Sequence, residues 1–279
     1  MVILQIVKKT VKLKFYKIIT CYKGEITVKT NEFNIKWNAS DKEDTIRNNF
    51  LQLFKKCPIP ENEILLNLSL FIKRQDLSQI LFMHELYKQI IGIHGIVVEF
   101  GVRWGKNMAL FESFRGIYEP FNHNRKIVGF DTFSGFPEVD AKDGKGETIM
   151  NGGFSVTNQY EKYLSQVLDY HEQESPISHI KKYELVKGDA TIEVEKYLNE
   201  NPETIIAFAY FDFDIYKPTK ICLEAILPHL TKGSIIGFDE LNCHDYPGET
   251  LALKEIVGYE KHKVNHSVYS PTQSYILFE

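Results

Sequence analysis

At 279 residues, 43% hydrophobic and 25% charged, the chain reads as a globular protein that holds one large α/β domain with additions, or at most two small domains. A net charge of −4 gives no global case for a nucleic-acid partner. The 4 cysteines (Cys21, Cys57, Cys222, Cys243) lack paired spacing, which argues against a zinc site or a disulfide framework and fits a reducing, cytoplasmic setting.

Residues 1–45 read as a strand-like appendage. Stretches 11–18 and 25–29 alternate apolar with polar residues, the mark of half-exposed strands. Seven lysines fall between positions 8 and 29 against one acid, Glu25. That charge run is either a solvated strand face or an arm for a membrane surface or polyanion. The lysines also break the apolar start that a signal peptide would need, and no apolar run reaches membrane-spanning length.

Residues 46–95 read as a helical cap or interface segment, with the option of a homodimer through these helices. Ile64, Leu65, Leu68 and Phe71 recur at helical spacing, as do Leu77, Ile80, Leu81, His84, Leu86, Tyr87, Ile90 and Ile91. Asp76 or Ser78 would cap the second helix and Gly92 would stop it.

From Ile96 the rhythm is strand–helix alternation, which predicts a doubly wound, mostly parallel, Rossmann-like sheet over 96–279. Ile96-Val97-Val98 reads as a buried parallel strand that runs into Glu99-Phe100-Gly101-Val102-Arg103-Trp104-Gly105 and a helix at 107–118. Strand, glycine turn and helix form the unit over which a nucleotide-like ligand lies. The Glu-x-Gly-x-x-x-Gly spacing is neither the dinucleotide fingerprint nor a phosphate-binding loop. Further strands are expected at 126–130, 184–187, 205–213 and 233–238, with helices at 191–199, 219–230 and 249–257. An antiparallel pair of strands near 262–268 and 274–278 closes the chain. A polar, glycine-rich insert at 138–181 reads as a surface excursion or a lid over the ligand.

Each core strand ends in an acid: Glu99, Asp131, Asp189, Asp212 with Asp214, and Asp239 with Glu240. Acids on the first strands can accept hydrogen bonds from a ligand's amine or ribose hydroxyls. The last two groups place four carboxylates on neighbouring strands. Such a cluster needs a cation, a shared proton or basic partners, and oxygen-only ligands favour Mg²⁺, Ca²⁺ or Mn²⁺.

The series Glu99-x-Gly101-x-x-x-Gly105, Asp131-Thr132-Phe133-Ser134-Gly135-Phe136-Pro137, Asp212-Phe213-Asp214-Ile215-Tyr216-Lys217-Pro218-Thr219 and Phe238-Asp239-Glu240 resembles the macrocin O-methyltransferase (TylF-like) family over about residues 90–260. These are class I, S-adenosylmethionine-dependent enzymes that methylate sugar hydroxyls with bound Mg²⁺. The resemblance implies that Glu99, Gly101, Gly105, Asp131, Thr132, Phe133, Asp189 and Ala190 line the cofactor. It further implies that Asp212, Asp239 and Glu240 bind the metal and that Asp214 is the base. The family usually has Asp-Asp where this chain has Asp239-Glu240. His244, next to that pair, is a second base candidate, ahead of His179 and His229. The acceptor would be a nucleotide sugar, a glycan or a glycosylated metabolite. Two other readings stand beside this one. One is a metal-dependent glycosyltransferase that uses Asp212-Phe213-Asp214; the other is a non-catalytic ligand-binding protein on the same fold.

Overall fold

A computed structural model describes residues 40–146 and 148–279. The strands read in the first 45 residues lie outside the described residues, and the chain is helical from Asp41. Helix α1 (Asp41–Lys55) starts at a capping box in which Ser40 and Glu43 each satisfy the other's backbone amide. Helical turns at Glu61–Ile64 and Leu65–Phe71 follow, and neither they nor α1 contain a buried residue.

Helix α2 (Arg74–Gln89) buries Phe82, Met83, Leu86 and Tyr87. It begins after Lys73, so Asp76 and Ser78 sit inside the helix and do not cap it. Asp76 instead pairs with Lys73 at 3.2 Å, and the Ser78 hydroxyl donates to the Gln75 carbonyl. The helix ends at Gln89, three residues before Gly92.

The sheet comprises β1 (Ile96–Phe100), β2 (Ile127–Asp131), β3 (Tyr183–Lys187), β4 (Ile206–Phe211), β5 (Leu230–Phe238), β6 (Val264–His266) and β7 (Ser274–Leu277). Their order is β3-β2-β1-β4-β5-β7-β6. The first five are parallel, and β7 and β6 join antiparallel at the end. Helices α3 (Lys106–Tyr118), α4 (Tyr160–Glu174), α5 (Ala190–Glu200), α6 (Tyr216–Ile226) and α7 (Gly248–Ile256) connect the strands. The result is the doubly wound, mostly parallel Rossmann-like sheet, with the antiparallel C-terminal pair, that the sequence predicts.

Strand alternation divides the core into two layers. Val97, Ile127, Phe208 and Ile235 face α2, α3 and α4, whereas Val98, Val128, Ala209 and Ile236 face α5, α6 and α7. On the second face, Phe130, Phe100, Phe211 and Phe238 stack across β2, β1, β4 and β5 with ring centroids 5.3, 4.7 and 5.4 Å apart. This aromatic row lies at the carboxyl ends of the strands and makes a rigid floor under the edge that carries the acids.

The stretch 138–181 includes a core element. Helix α4 forms the crossover from β2 to β3 and buries Leu164 and Leu168. Few of its positions are apolar, which is why its sequence reads as surface. The buried Glu172 on α4 accepts from Arg115 of α3 at 3.1 Å, and Arg115 also donates to the Lys182 carbonyl at 2.7 Å. A charge pair and not an apolar stripe therefore ties this end of the helix down.

Candidate active site

Parallel strands bring their carboxyl ends to one edge, so the acids read from the sequence converge there. At the end of β1, Glu99 is buried, and its Oε1 accepts from Asn107 Nδ2 at 2.9 Å while Oε2 has no partner. Burial raises the Glu99 carboxyl to about 8, against the pull of Asn107 and Lys106.

The following turn needs its glycines for packing. Gly101 has φ +94°, and a Cβ there would stand 2.1 Å from the Asp212 carbonyl oxygen. Gly105 has φ +78°, and a Cβ there would overlap Leu164 of α4. The Gly105 position is thus accounted for by the α3–α4 contact. Between the two glycines, Arg103 adopts φ 48° and places its guanidinium 4.6 Å from the centre of the Phe154 ring. Its charge faces Asp131, Asp212 and Asp214.

Asp131 ends β2. Its Oδ2 accepts from Arg103 N at 2.7 Å and its Oδ1 from Phe133 N at 2.5 Å, which fixes the carboxylate against the glycine turn. Thr132 closes its own turn by donating to the Gly135 carbonyl at 2.8 Å. Phe133 is 6% exposed and belongs to the core layer under α3. Asp189 caps α5, accepting from Thr191 N at 3.0 Å, and Ala190 is buried in the first turn of that helix. Glu99, Gly101, Asp131, Asp189 and Ala190 therefore lie along the half of the edge formed by β1, β2 and β3.

The other half carries the acid cluster. Asp212, Asp214 and Glu240 each bring a carboxylate oxygen within 4.8 Å of the others. Asp212 and Asp214 lie beyond β4 and not on a regular strand, and Asp214 has φ 61°. Burial pushes all three carboxyls up, reinforced for Asp212 by the charge of Asp239 and for Glu240 by that of Asp214. Glu240 Oε2 is buried without a hydrogen-bond partner. A half-buried, oxygen-only donor set in which one carboxylate oxygen lacks a partner fits a hard divalent cation. Asp239 sits beside this group, its Oδ1 accepting from the Tyr210 hydroxyl at 2.6 Å and from Gln273 Nε2 at 2.8 Å. His244 is solvent-exposed, as is His179, and His229 contacts the Thr204 carbonyl at the opposite end of the sheet.

A strap from the β2–α4 connection reaches this half. Asp143 Oδ1 accepts from Tyr216 N at 2.6 Å, and Thr148, which is 2% exposed, shares a hydrogen bond of 2.8 Å with the Tyr246 hydroxyl. Sequence reasoning missed Arg103, Thr148, Tyr210 and Gln273. Only Arg103 carried a signal, a lone cation inside the glycine turn and next to the acids.

Comparison with known proteins fits this geometry. No family model and no curated protein matches the chain. Among solved structures, that of CalS11, a calicheamicin methyltransferase, superposes with a TM-score of 0.84 at 42% identity, over 86% of this chain and 94% of that one. The apo structure of CalS11, there called a TDP-rhamnose 3'-O-methyltransferase of calicheamicin biosynthesis, gives a TM-score of 0.76 at 38% identity, over 86% and 96%. The O-methyltransferase NovP shares the fold, with a TM-score of 0.53 at 16% identity over 72% and 79%. At that level of identity over nearly its whole described length, the chain belongs to the class I, S-adenosylmethionine-dependent O-methyltransferase family of CalS11.

Proposed function

We propose that this enzyme transfers the methyl group of S-adenosylmethionine to a sugar hydroxyl of a nucleotide sugar, glycan or glycosylated metabolite, with the help of Mg²⁺. The observation that carries the reading is the acid cluster at the ends of β4 and β5, directly beside the cofactor half of the edge, in a chain 38% identical to a TDP-rhamnose 3'-O-methyltransferase. The macrocin O-methyltransferase resemblance supports the same substrate class.

In this reading Glu99, Asp131 and Asp189 receive the cofactor's polar groups over the Gly101 turn. Asp212, Asp239 and Glu240 would hold the cation, one oxygen of Asp239 being already engaged by Tyr210 and Gln273. When bound, the cation lowers the pKa of the acceptor hydroxyl. Asp214 takes the hydroxyl proton as the new C–O bond forms and the methyl–sulfur bond breaks, which leaves neutral S-adenosylhomocysteine. A second ligand set, Asp212, Asp214 and Glu240, is favoured by the 4.8 Å grouping of their oxygens and would leave His244 as the base candidate. The acceptor enters under the strap, beside Arg103 and Tyr246.

The exposed Leu53, Leu65, Leu66 and Leu70, at 61–83% exposure, support a homodimer through the segment before α2, to be checked by light scattering. The function itself is tested by thermal shift with S-adenosylhomocysteine and with UDP, each with and without Mg²⁺. Stabilisation by S-adenosylhomocysteine alone is expected. Stabilisation only by UDP with Mg²⁺ would transfer the protein to the glycosyltransferase reading.

A further inference from the structure

Among the buried acids at this edge, Glu249 is in no ligand set, yet it is the best connected. It lies in the first turn of α7 and is 0% exposed. Its Oε1 accepts from Phe213 N at 3.1 Å and from Asp214 N at 3.3 Å, and its Oε2 accepts from Glu240 N at 3.2 Å. One carboxylate therefore bridges the segment after β4 to the segment after β5. The approach is close because the neighbouring residue is glycine: a Cβ on Gly248 would stand 2.6 Å from Tyr216 N and 2.7 Å from the Asp214 carbonyl.

The Phe213 and Asp214 amides form a small anion-binding concavity of the kind made when successive N–H groups turn through the left-handed region. Asp214 is in that region, which is unfavourable for a residue with a Cβ and persists only when the surroundings hold it. Glu249 supplies the holding contact. Without it, the 212–214 segment would relax toward extended backbone and carry the Asp214 carboxylate away from Asp212 and Glu240.

We infer that Glu249 is a positioning residue of the cation site, setting the separation of the β4 and β5 carboxylates from behind without touching the ion. This rests on the proposed cation, and either ligand set includes a carboxylate whose own amide Glu249 holds. Glu249→Gln keeps shape and burial, but its amide group opposes donors on one side. Glu249→Asp keeps the carboxyl group and is one methylene short of spanning both segments.

The test is Mn²⁺ binding to the full chain, titrated by electron paramagnetic resonance, with S-adenosylhomocysteine affinity from calorimetry as the control. Loss of a contact that orients a metal ligand costs about 10–100-fold in metal affinity, and both variants should fall in that range while S-adenosylhomocysteine binds as in the wild type. A wild type that binds no Mn²⁺ removes the cation reading and this inference with it. Wild-type binding that is unchanged in both variants keeps the cation and removes the role of Glu249. An equal loss of Mn²⁺ and S-adenosylhomocysteine binding makes Glu249 a general structural residue and overturns the inference.

Discussion

The hydroxyl of Tyr210 on β4 donates to Oδ1 of Asp239 at the end of β5, at 2.6 Å, and so engages one oxygen of that carboxylate. Asp239 therefore offers a single free oxygen, whereas Asp214 sits within 4.8 Å of both Asp212 and Glu240. Rate measured against Mg²⁺ concentration separates their roles. Asp239→Asn should lose activity that high Mg²⁺ partly restores. Asp214→Asn should lose roughly a hundredfold or more at every Mg²⁺ concentration, because an amide cannot accept the acceptor's proton. Rescue of Asp214→Asn by Mg²⁺, with none for Asp239→Asn, favours the ligand set that includes Asp214.

Gly101, in the glycine turn after β1, packs against the backbone of Asp212. A Cβ at 2.1 Å from the Asp212 carbonyl, on a backbone with φ +94°, requires the end of β4 to move. Gly101→Ala should thus lower the melting temperature, by a strain on the order of 1–2 kcal/mol or more, and weaken S-adenosylhomocysteine together with Mn²⁺. Loss of S-adenosylhomocysteine binding alone, read by calorimetry, would restrict Gly101 to ligand approach.

The strap is pinned at Asp143 and Thr148. Replacing Thr148 by Val removes the shared hydrogen bond with Tyr246, worth about 1 kcal/mol, without changing the bulk of the side chain. Limited proteolysis should then cut residues 141–160 faster in the variant than in the wild type, with S-adenosylhomocysteine affinity unchanged. Wild-type cleavage in this segment should slow when cofactor and acceptor are both bound. Equal rates with and without ligands would leave the strap a plain surface connection.

Glu99 makes stability depend on pH. Its folded carboxyl is raised to about 8 from an ordinary value of 4.5, so the folded state keeps a proton that the unfolded state releases. The associated stability is present below pH 4.5 and is lost as pH rises through 8, by an amount on the order of a few kcal/mol. Glu112, raised to about 8 by the same burial, adds a slope of the same sign. Denaturant unfolding of ligand-free Glu99→Gln should therefore show a shallower fall than the wild type between pH 5 and pH 8, and the difference between the profiles isolates Glu99. Parallel profiles would mean that Glu99 is already ionised in the folded protein.

Apolar runs closed by an acid made β1, β2, β4 and β5 legible, and parallel pairing then required Glu99, Asp131, Asp212 and Asp239 to share an edge. What stayed hidden depends on contacts between distant segments. Helix α4 was obscured because Glu172, buried through Arg115, looks like a surface residue in sequence. The convergence of Asp212 and Asp214 looked like a property of a regular strand; both lie beyond β4, where Asp214 is left-handed and its amide donates to Glu249 of α7. Tyr210 and Gln273 were equally silent, since their role toward Asp239 appears only once β7 has paired with β5.

The most direct measurement is incubation of the purified protein with S-adenosylmethionine, Mg²⁺ and a panel of nucleotide sugars and glycans, read by mass spectrometry. An acceptor that gains one methyl group on oxygen, S-adenosylhomocysteine in equal amount, and loss of both when EDTA is added are expected. Methyl transfer that is indifferent to EDTA would contradict the role given to the acid cluster. Transfer only to non-sugar acceptors, or glycosyl transfer in place of methylation, would contradict the proposed function itself.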